Sequence, residues 1–212
     1  MARTLPQKDA PFALHGRPGS GNAYKPALFM ALAGIPFTAK FVAADMQRTP
    51  EFLKLSPFGQ VPVLQHGDLA LVQSPVILKY LAQASGKFGP ADPIEALELD
   101  EWLCFEQDLL FPGIGIVRFM TKLMQPPGDP AIVAWLRLRG ERALGTLERH
   151  LAQRRFVLGD RCTVADIALY GYGRLAEEAG YDMAAWPRTA AWRRSIEAMP
   201  GWKLPQDLIP AK

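Results

Sequence analysis

Residues 60–81 of the chain read QVPVLQHGDLALVQSPVILKYL, in which two short apolar runs precede an amphipathic one. The runs Val61-Pro62-Val63-Leu64 and Leu69-Ala70-Leu71-Val72 predict two strands, because the intervening Gln65–Asp68 contains turn-forming residues. Ser74-Pro75 follows at once and suits the cap and the first position of a helix. The stretch therefore predicts an antiparallel hairpin that leads into a helix.

The residues before this stretch alternate between strand-like and helix-like runs. Phe12-Ala13-Leu14 and Phe37 to Val42 predict strands, whereas Ala23 to Ala33 and Pro50 to Leu55 predict helices. The predicted order is βαβ, a short helix, then ββα, and a helical crossover makes the first two strands parallel. This is the arrangement of a thioredoxin-like α/β domain.

Pro62 falls at the start of a predicted central strand, where a residue without an N–H cannot complete the ladder. An ordinary turn followed by an edge strand would accommodate such a proline. A cis Val61-Pro62 bond would also accommodate it, and would turn the Val61 backbone outward. An outward N–H and C=O pair can bind a peptide-like ligand in the manner of an added strand.

The rest of the chain carries helical patterns. An apolar-periodic run from Ile94 to Met124 predicts a long helix with a break or bend at Pro112-Gly113. Further helices are predicted to start at three places: Asp129-Pro130, Thr163 and Arg188. The second of these has a capping box that Asp166 completes. Four or more such helices predict an all-α bundle.

The charge balance changes where the pattern changes. Residues 1–85 hold eight Lys/Arg and four Asp/Glu, a net charge of +4. Residues 86–212 hold 16 Lys/Arg and 17 Asp/Glu, a net charge of −1. The segment between the two patterns, GKFGPADP, is rich in Gly and Pro, as linkers are. We therefore expect a first domain over residues 1–85, a linker over 86–93 and an all-helical domain over 94–212.

The composition excludes several classes of protein. The chain has 212 residues, 49% of them hydrophobic, and a net charge of +3, which fits neither a disordered chain nor a nucleic-acid-binding one. Two distant cysteines are too few for a disulfide framework or a structural zinc site. Since neither an export signal nor a membrane-spanning run is found, we expect a cytoplasmic protein without metal, membrane or nucleic-acid partners.

Three stretches place reactive or binding groups at connections of the first domain. Ser20 and Asn22 stand at the start of the first helix, where N–H groups and the helix dipole stabilise an anion such as a thiolate. Val61 offers its backbone, and Gln73 and Ser74 begin the third helix, where they could hold an ammonium and a carboxylate group. Each stretch also has an ordinary interpretation as a helix cap or a turn.

Taken together and in this order, the three stretches resemble the cytosolic glutathione S-transferase superfamily, in particular a serine-type bacterial-like member. The resemblance rests on the Val61-Pro62 turn, the Gln73-Ser74 pair with the helix after it, and the capping box of Thr163 to Asp166. It implies a thioredoxin-like domain that binds glutathione and a helical domain that lines the electrophile pocket. It also implies a homodimer and a role in detoxification.

The resemblance also implies roles for particular residues. Ser20, or Asn22 as the alternative, hydrogen-bonds the glutathione sulfur. The remaining parts of glutathione are held by the other positions: the glycyl end by Gln60, the cysteinyl part by Val61 and Pro62, and the γ-glutamyl group by Gln73 and Ser74. The chain departs from the family in Gln73, where some classes carry Glu or Asp, and in Pro75, where Arg or Asn is common.

The implied activity is that of a glutathione transferase, in which the thiol is activated as thiolate and attacks a small hydrophobic electrophile. Lowering a thiol pKa by about two units needs roughly 2.7 kcal/mol, which a hydroxyl donor and a helix terminus can supply. One alternative is a glutathione-dependent isomerase or peroxidase. Another is a non-enzymatic module that uses the same fold to bind proteins.

The remaining reactive and aromatic side chains are predicted to be structural. His66 is expected in a turn, Cys104 in the core, and Cys162 beside a helix cap. The same interpretation applies to the other histidines, His15 and His150. Four helical aromatics could border the electrophile pocket, although core packing is expected for most of them: Phe111, Phe119, Trp135 and Tyr172. A hydrolase that uses Ser20 as nucleophile lacks a partner base, and thiol–disulfide exchange lacks a cysteine in the three stretches.

Overall fold

The computed structural model describes residues 4–7 and 9–211. Arg3 and Lys8, which contribute to the positive charge of the first predicted domain, lie outside the described residues. The chain divides into two compact units, one formed by Met1–Gly89 with Met199–Lys212 and the other by Pro90–Ala198.

The first unit contains a four-stranded mixed sheet in the order β2-β1-β3-β4. Its strands are β1 (Phe12–Gly16), β2 (Phe37–Phe41), β3 (Val63–His66) and β4 (Leu69–Val72). β1 pairs in parallel with β2 and antiparallel with β3, and β3 pairs antiparallel with β4. This is the topology expected from the βαβ and ββα pattern, so the prediction of a thioredoxin-like domain is confirmed.

The hairpin between β3 and β4 is tighter than predicted. His66 pairs with Leu69, so that Gly67 and Asp68 alone form the turn, and Gly67 has a φ of 55°. Glycine adopts this backbone conformation at no steric cost, which permits a two-residue turn. The prediction of a longer turn that includes His66 is therefore wrong, and β3 begins two residues later than predicted.

Helices cover this sheet and begin at caps that the sequence provides. The helices are α1 (Gly21–Ala33), α2 (Pro50–Leu55) and α3 (Ser74–Ser85). The side chains of Ser20 and Thr49 accept hydrogen bonds from the first turns of α1 and α2. α1 ends at Gly34, whose left-handed backbone (φ 68°) stops the helix. α1 is almost entirely buried because it packs against β1 and α3.

The second unit is a helical bundle, as predicted. Its α-helices are α4 (Pro93–Phe105), α5 (Pro130–His150), α6 (Val164–Gly173) and α7 (Pro187–Glu197). Between α4 and α5 the chain continues in π-type turns over Glu106–Ile116 and Phe119–Leu123. Pro112 lies inside the first of these, so the predicted departure from a regular α-helix takes the form of π-type turns that begin at Glu106 and continue through the proline. In the part of the chain that is described, no helix is both long and apolar enough to cross a bilayer.

The predicted capping box is present at the start of α6 and also connects two helices. The Thr163 N–H donates to Oδ2 of Asp166 over 2.9 Å. Oδ1 of the same carboxylate accepts from the Val157 N–H and from Nε1 of Trp192 on α7, each over 2.9 Å. This buried carboxylate therefore fixes the start of α6 against α7.

α5 and the π segment approach each other through two glycines. A Cβ atom on Gly113 would lie 2.3 Å from Cα of Gly140, and a Cβ atom on Gly140 would lie 2.0 Å from Oη of Tyr181. The Tyr181 hydroxyl donates to the Gly113 carbonyl oxygen over 2.7 Å. Burial raises the pKa of Tyr181 to about 12, so the hydroxyl keeps its proton and remains a donor.

The C-terminal residues form α8 (Pro205–Leu208) and pack on α1. The Tyr24 hydroxyl donates to the Lys203 carbonyl oxygen over 2.8 Å. Gly201 approaches α1 so closely that a Cβ atom there would lie 2.5 Å from the Ala31 carbonyl oxygen. These residues therefore belong to the first unit, whereas the sequence pattern placed everything up to residue 212 in the helical domain.

Candidate functional site

The sheet brings the three predicted stretches to one end of its strands. His15, near the end of β1, pairs with Val63 at the start of β3, and Val63 pairs with Val72 at the end of β4. The loop after β1, the residues before β3 and the residues after β4 therefore meet at the same edge. Ser20, Val61 and Gln73 occupy these three connections.

Ser20 caps α1 with its side chain. Its Oγ accepts a hydrogen bond from the Ala23 N–H over 3.2 Å, and the residue is half-buried. A serine hydroxyl has one proton to donate in addition to the lone pairs used here. The first turn of α1 contains no acidic residue, so the positive end of the helix dipole is not compensated locally. The arrangement offers an O–H donor and a favourable potential to an anion.

Asn22, Lys25 and Ser74 form a polar cluster between α1 and α3. Oδ1 of Asn22 accepts from Nζ of Lys25 over 2.7 Å and from the Ser74 hydroxyl over 3.1 Å. Nζ of Lys25 also lies 3.5 Å from Oγ of Ser74. Lys25 is fully buried and Ser74 nearly so. The side-chain oxygen of Asn22 is thus committed to internal donors, and the Lys25 amino group lies directly beside the Ser74 hydroxyl.

The Val61-Pro62 peptide bond is cis. The loop before it is fixed by Ser56, whose Oγ donates to the Gln60 carbonyl oxygen over 2.9 Å and accepts from the Gln60 N–H over 3.1 Å. Among the described residues, neither the N–H nor the C=O of Val61 has a backbone hydrogen-bond partner. Both groups of Val61 can therefore pair with an extended ligand.

Gln73 adopts an unusual backbone conformation at the start of α3. Its φ of 69° and ψ of 114° are costly for a residue with a Cβ atom. The side chain is exposed, and its Nε2 donates to Oε1 of Gln60 over 3.2 Å. The side chains of two predicted site residues are thus brought into contact at the sheet edge.

Relieving this backbone strain should stabilise the protein. We expect Gln73→Gly to raise the free energy of unfolding by about 1 kcal/mol relative to Gln73→Ala, since glycine tolerates a positive φ whereas alanine keeps the strain. Urea unfolding of the two variants measures the difference. Equal stabilities, or a less stable glycine variant, would contradict a strained Gln73.

Two further features of this edge are not apparent from the sequence pattern. A short 3-10 helix over Asp45–Arg48 brings Gln47 and Arg48 beside the Gly59 turn. With its amide oriented to satisfy both partners, Gln47 donates to the Gly59 carbonyl oxygen over 3.1 Å and accepts from Nη1 of Arg17 over 3.0 Å. The edge therefore carries the guanidinium groups of Arg17 and Arg48. Only Arg17 belongs to one of the three stretches that the sequence singles out.

The cysteines do not contribute a thiol to this edge. Cys104 on α4 is exposed, so its predicted place in the core is wrong, because it faces away from the buried Leu103 side of the helix. Cys162 is buried, and burial together with the charge of Asp166 raises the pKa of its thiol strongly. In the described residues, no group of three His, Cys, Asp or Glu side chains is arranged to hold a metal ion.

The aromatic residues of the helical unit differ in their environments. Tyr172 is buried, and its ring lies 4.8 Å from that of Phe111, as core packing requires. Phe119 and Trp135 are instead half exposed, with 50% and 57% of their surface accessible. These two therefore lie outside the core and give the unit exposed apolar surface.

Two family models match the chain. The model described as glutathione S-transferase, N-terminal domain, matches residues 10–83. The model described as glutathione S-transferase, C-terminal domain, matches residues 130–195. The first range falls in the first unit and the second in the helical unit.

Individual relatives and structures agree with these matches. The chain is 30% identical to glutathione S-transferase 3 of Zea mays, over 95% of this chain and 96% of that protein. It is 28% identical to elongation factor 1-gamma 3 of Oryza sativa subsp. japonica, over 76% of this chain but 41% of that protein. A solved glutathione transferase family member from Pseudomonas fluorescens Pf-5, with two glutathione bound, is 28% identical, has a TM-score of 0.81, and is matched over 93% of this chain and 92% of that one.

Proposed function

The chain belongs to the glutathione S-transferase superfamily, and we propose that it is an enzyme of the serine type that activates glutathione for attack on a small hydrophobic electrophile. The observation that carries the proposal is the convergence of Ser20, Val61 and Gln73 at one edge of the sheet. An O–H donor, a free backbone pair and a polar helix start are the groups that a tripeptide thiol requires there.

Ser20 is the residue that we assign to the sulfur, as hydrogen-bond donor and not as nucleophile. Its Oγ uses a lone pair on the Ala23 N–H, which leaves the proton for the thiolate. A hydrogen bond to an anion contributes on the order of 1.5–3 kcal/mol, and the helix terminus adds up to about 1 kcal/mol. Together these are enough to lower a thiol pKa by about two units. Asn22, whose oxygen is held by Lys25 and Ser74, is assigned to positioning.

The carboxylates of glutathione are assigned to the two basic parts of the edge. Ser74 and its helix N-terminus would receive the γ-glutamyl carboxylate, with the Ser74 hydroxyl turned from Asn22 to the carboxylate. Gln73 would accept from the γ-glutamyl amino group. Val61, with Pro62 after it, would pair with the cysteinyl part. The glycyl carboxylate would lie near Gln60 and close to the guanidinium groups of this edge.

Loss of the Ser74 hydroxyl should weaken glutathione binding. We expect Ser74→Ala to raise the glutathione Kd by about tenfold, since a hydrogen bond to a charged group contributes on the order of 1.5–3 kcal/mol. Titration calorimetry measures the change. Ser85→Ala at the other end of α3, where Oγ donates to the Leu81 carbonyl, is the matched control and should bind normally. Equal affinities of the two variants for glutathione would contradict the assignment of Ser74 to the glutathione site.

We further propose that the second unit binds the electrophile and that two copies of the chain form a homodimer. The helical unit would line the electrophile pocket, and its apolar residues favour small hydrophobic molecules in a detoxifying role in the cytoplasm. A homodimer is proposed because the first unit exposes Phe58 and Val76, and α4 exposes Ile94 and Leu97. Light scattering on the purified protein measures the assembly, and a monomer at micromolar concentration would contradict it.

Two other functions are distinguished by experiment. Glutathione-dependent isomerisation or peroxide reduction would use the same Ser20 and is tested by screening maleyl compounds and peroxides beside dinitrohalobenzenes. A non-enzymatic protein-binding module is favoured by the similarity to elongation factor 1-gamma 3. Calorimetry with glutathione decides between this module and the enzymes: no heat of binding at millimolar ligand would support the module and overturn the transferase.

A further inference from the structure

A cavity lies in the first unit at the opposite end of the strands from the proposed glutathione site. Its volume is about 860 Å³. Its lining comes from the segment before β1, the starts of β1 and β2, the loop between α1 and β2, the end of β3 and the last turns of α3. The walls are mostly apolar and include four rings, those of Phe12, Phe37, His66 and Tyr80. Cavities of roughly 300–1,000 Å³ accommodate small organic molecules.

The rings of this wall are arranged in contact with each other. The Phe12 ring stacks on that of His66 at 3.9 Å between centroids with 21° between their planes. The Tyr80 ring lies edge-on to that of His66, with 5.8 Å between the centroids. Flat aromatic molecules pack well among such rings, because offset stacking and edge contacts are the favoured geometries.

His66 also provides a polar atom that has no partner. Its Nδ1 lies 2.6 Å from the Tyr80 hydroxyl, whereas its Nε2 is buried and has no hydrogen-bond partner among the described residues. Burial lowers the pKa of His66 and raises that of Tyr80, so both side chains are uncharged at neutral pH. We assign the phenol as the donor to Nδ1, which places the ring N–H at Nε2. The Ala10 backbone favours the protonated ring, but it does not reach hydrogen-bond geometry with Nε2.

The described lining residues of the cavity offer no positive charge to an anion. Of the lining residues that the structure describes, Asp9 alone carries a formal charge at neutral pH. The other polar groups are neutral: Thr38, Gln83 and Ser85. An anion that entered these apolar walls would lose its hydration without a described cation to replace it, so the cavity favours neutral molecules.

We propose that this cavity is a second binding site, specific for a neutral, flat aromatic molecule that carries a carbonyl oxygen. The rings of Phe12, Phe37 and Tyr80 contact its faces and edges, and the oxygen accepts the otherwise unpaired N–H of His66. The site is separate from the edge that holds Ser20, so its occupancy does not depend on glutathione.

Nile red tests this site, because it is a neutral planar dye with a carbonyl oxygen whose fluorescence rises in apolar surroundings. The full-length protein should bind it saturably, with an affinity that saturating glutathione does not change. Ala84→Trp, at an exposed position of the cavity wall, should weaken binding by about tenfold or more by filling the space. Gln83→Trp on the same turn is the second blocking variant if the first fails to fold.

The control is Ala198→Trp, which adds the same side chain at an exposed position outside the lining. It should bind the dye as the unmodified protein does. His66→Phe keeps a ring in the wall but removes the N–H, and should weaken binding several-fold. Displacement of the dye by glutathione, or equal affinities in the blocking and control variants, would overturn the proposal.

Discussion

Ser20→Ala lowers kcat/KM for the conjugation of glutathione to a dinitrohalobenzene by about 100-fold, the upper part of what one charged hydrogen bond contributes. The loss is greatest at low pH, because the variant needs a higher pH to form the thiolate. The alanine also removes the cap of α1, whose Oγ holds the Ala23 N–H, at a cost of about 1 kcal/mol of stability. Steady-state rates across pH, with unfolding curves recorded in parallel, separate the two effects.

Conservative variants identify the group that contacts the sulfur. Ser20→Thr retains both the cap and the hydroxyl and should recover most of the rate. Asn22→Ala should mainly raise the KM for glutathione, since Asn22 holds Lys25 and Ser74 in place. If Asn22→Ala instead lost kcat and shifted the pH profile while Ser20→Ala did not, the assignment of the two residues would be reversed.

Gly140→Ala should strongly lower the free energy of unfolding of the second unit. The new Cβ atom would lie 2.0 Å from Oη of Tyr181 and 2.9 Å from the Gly113 carbonyl oxygen. Neither atom can move easily, because Tyr181 is buried and donates to that same carbonyl. We expect a loss of about 3 kcal/mol, the upper part of the range for overpacked cores.

Gly145→Ala on the same helix is the matched control. The nearest atom to its added Cβ is Nη1 of Arg149 at 3.5 Å, at the flexible end of a long side chain. Since alanine is the better helix former, this variant should gain up to about 1 kcal/mol. Urea unfolding of both variants measures the contrast, and a Gly140→Ala protein as stable as the control would contradict the close approach at this helix crossing.

The sequence predicted the parts of the fold that follow from local pattern. The strands and helices of the first unit follow from apolar periodicity and from caps such as Ser20, which act within a few residues of themselves. The capping box of Thr163 and Asp166 is equally local. The candidate site residues were proposed from their order along the chain together with a family resemblance, because a helix cap such as Ser74 does not by itself indicate a function.

Features that depend on contacts between distant residues could not be predicted from local sequence pattern. The π-type turns through Pro112 pack on α5, whereas the proline alone predicts a break or bend without its form. The C-terminal α8 packs on α1, although the last helical pattern before it belongs to the bundle. The position of Lys25, three residues after Asn22 in a helix, does not distinguish it from an exposed lysine. Its burial beside Ser74 depends on the packing of α1 against α3, which no local pattern contains.

The most direct test of thiol activation is the ultraviolet absorbance of the thiolate, followed through a pH titration of the protein saturated with glutathione. Free thiols titrate near a pKa of about 8.5. Bound glutathione should titrate about two units lower in the unmodified protein and return toward the free value in Ser20→Ala. A bound thiol that titrates near the free value in both proteins would contradict the proposal that this edge of the sheet activates glutathione.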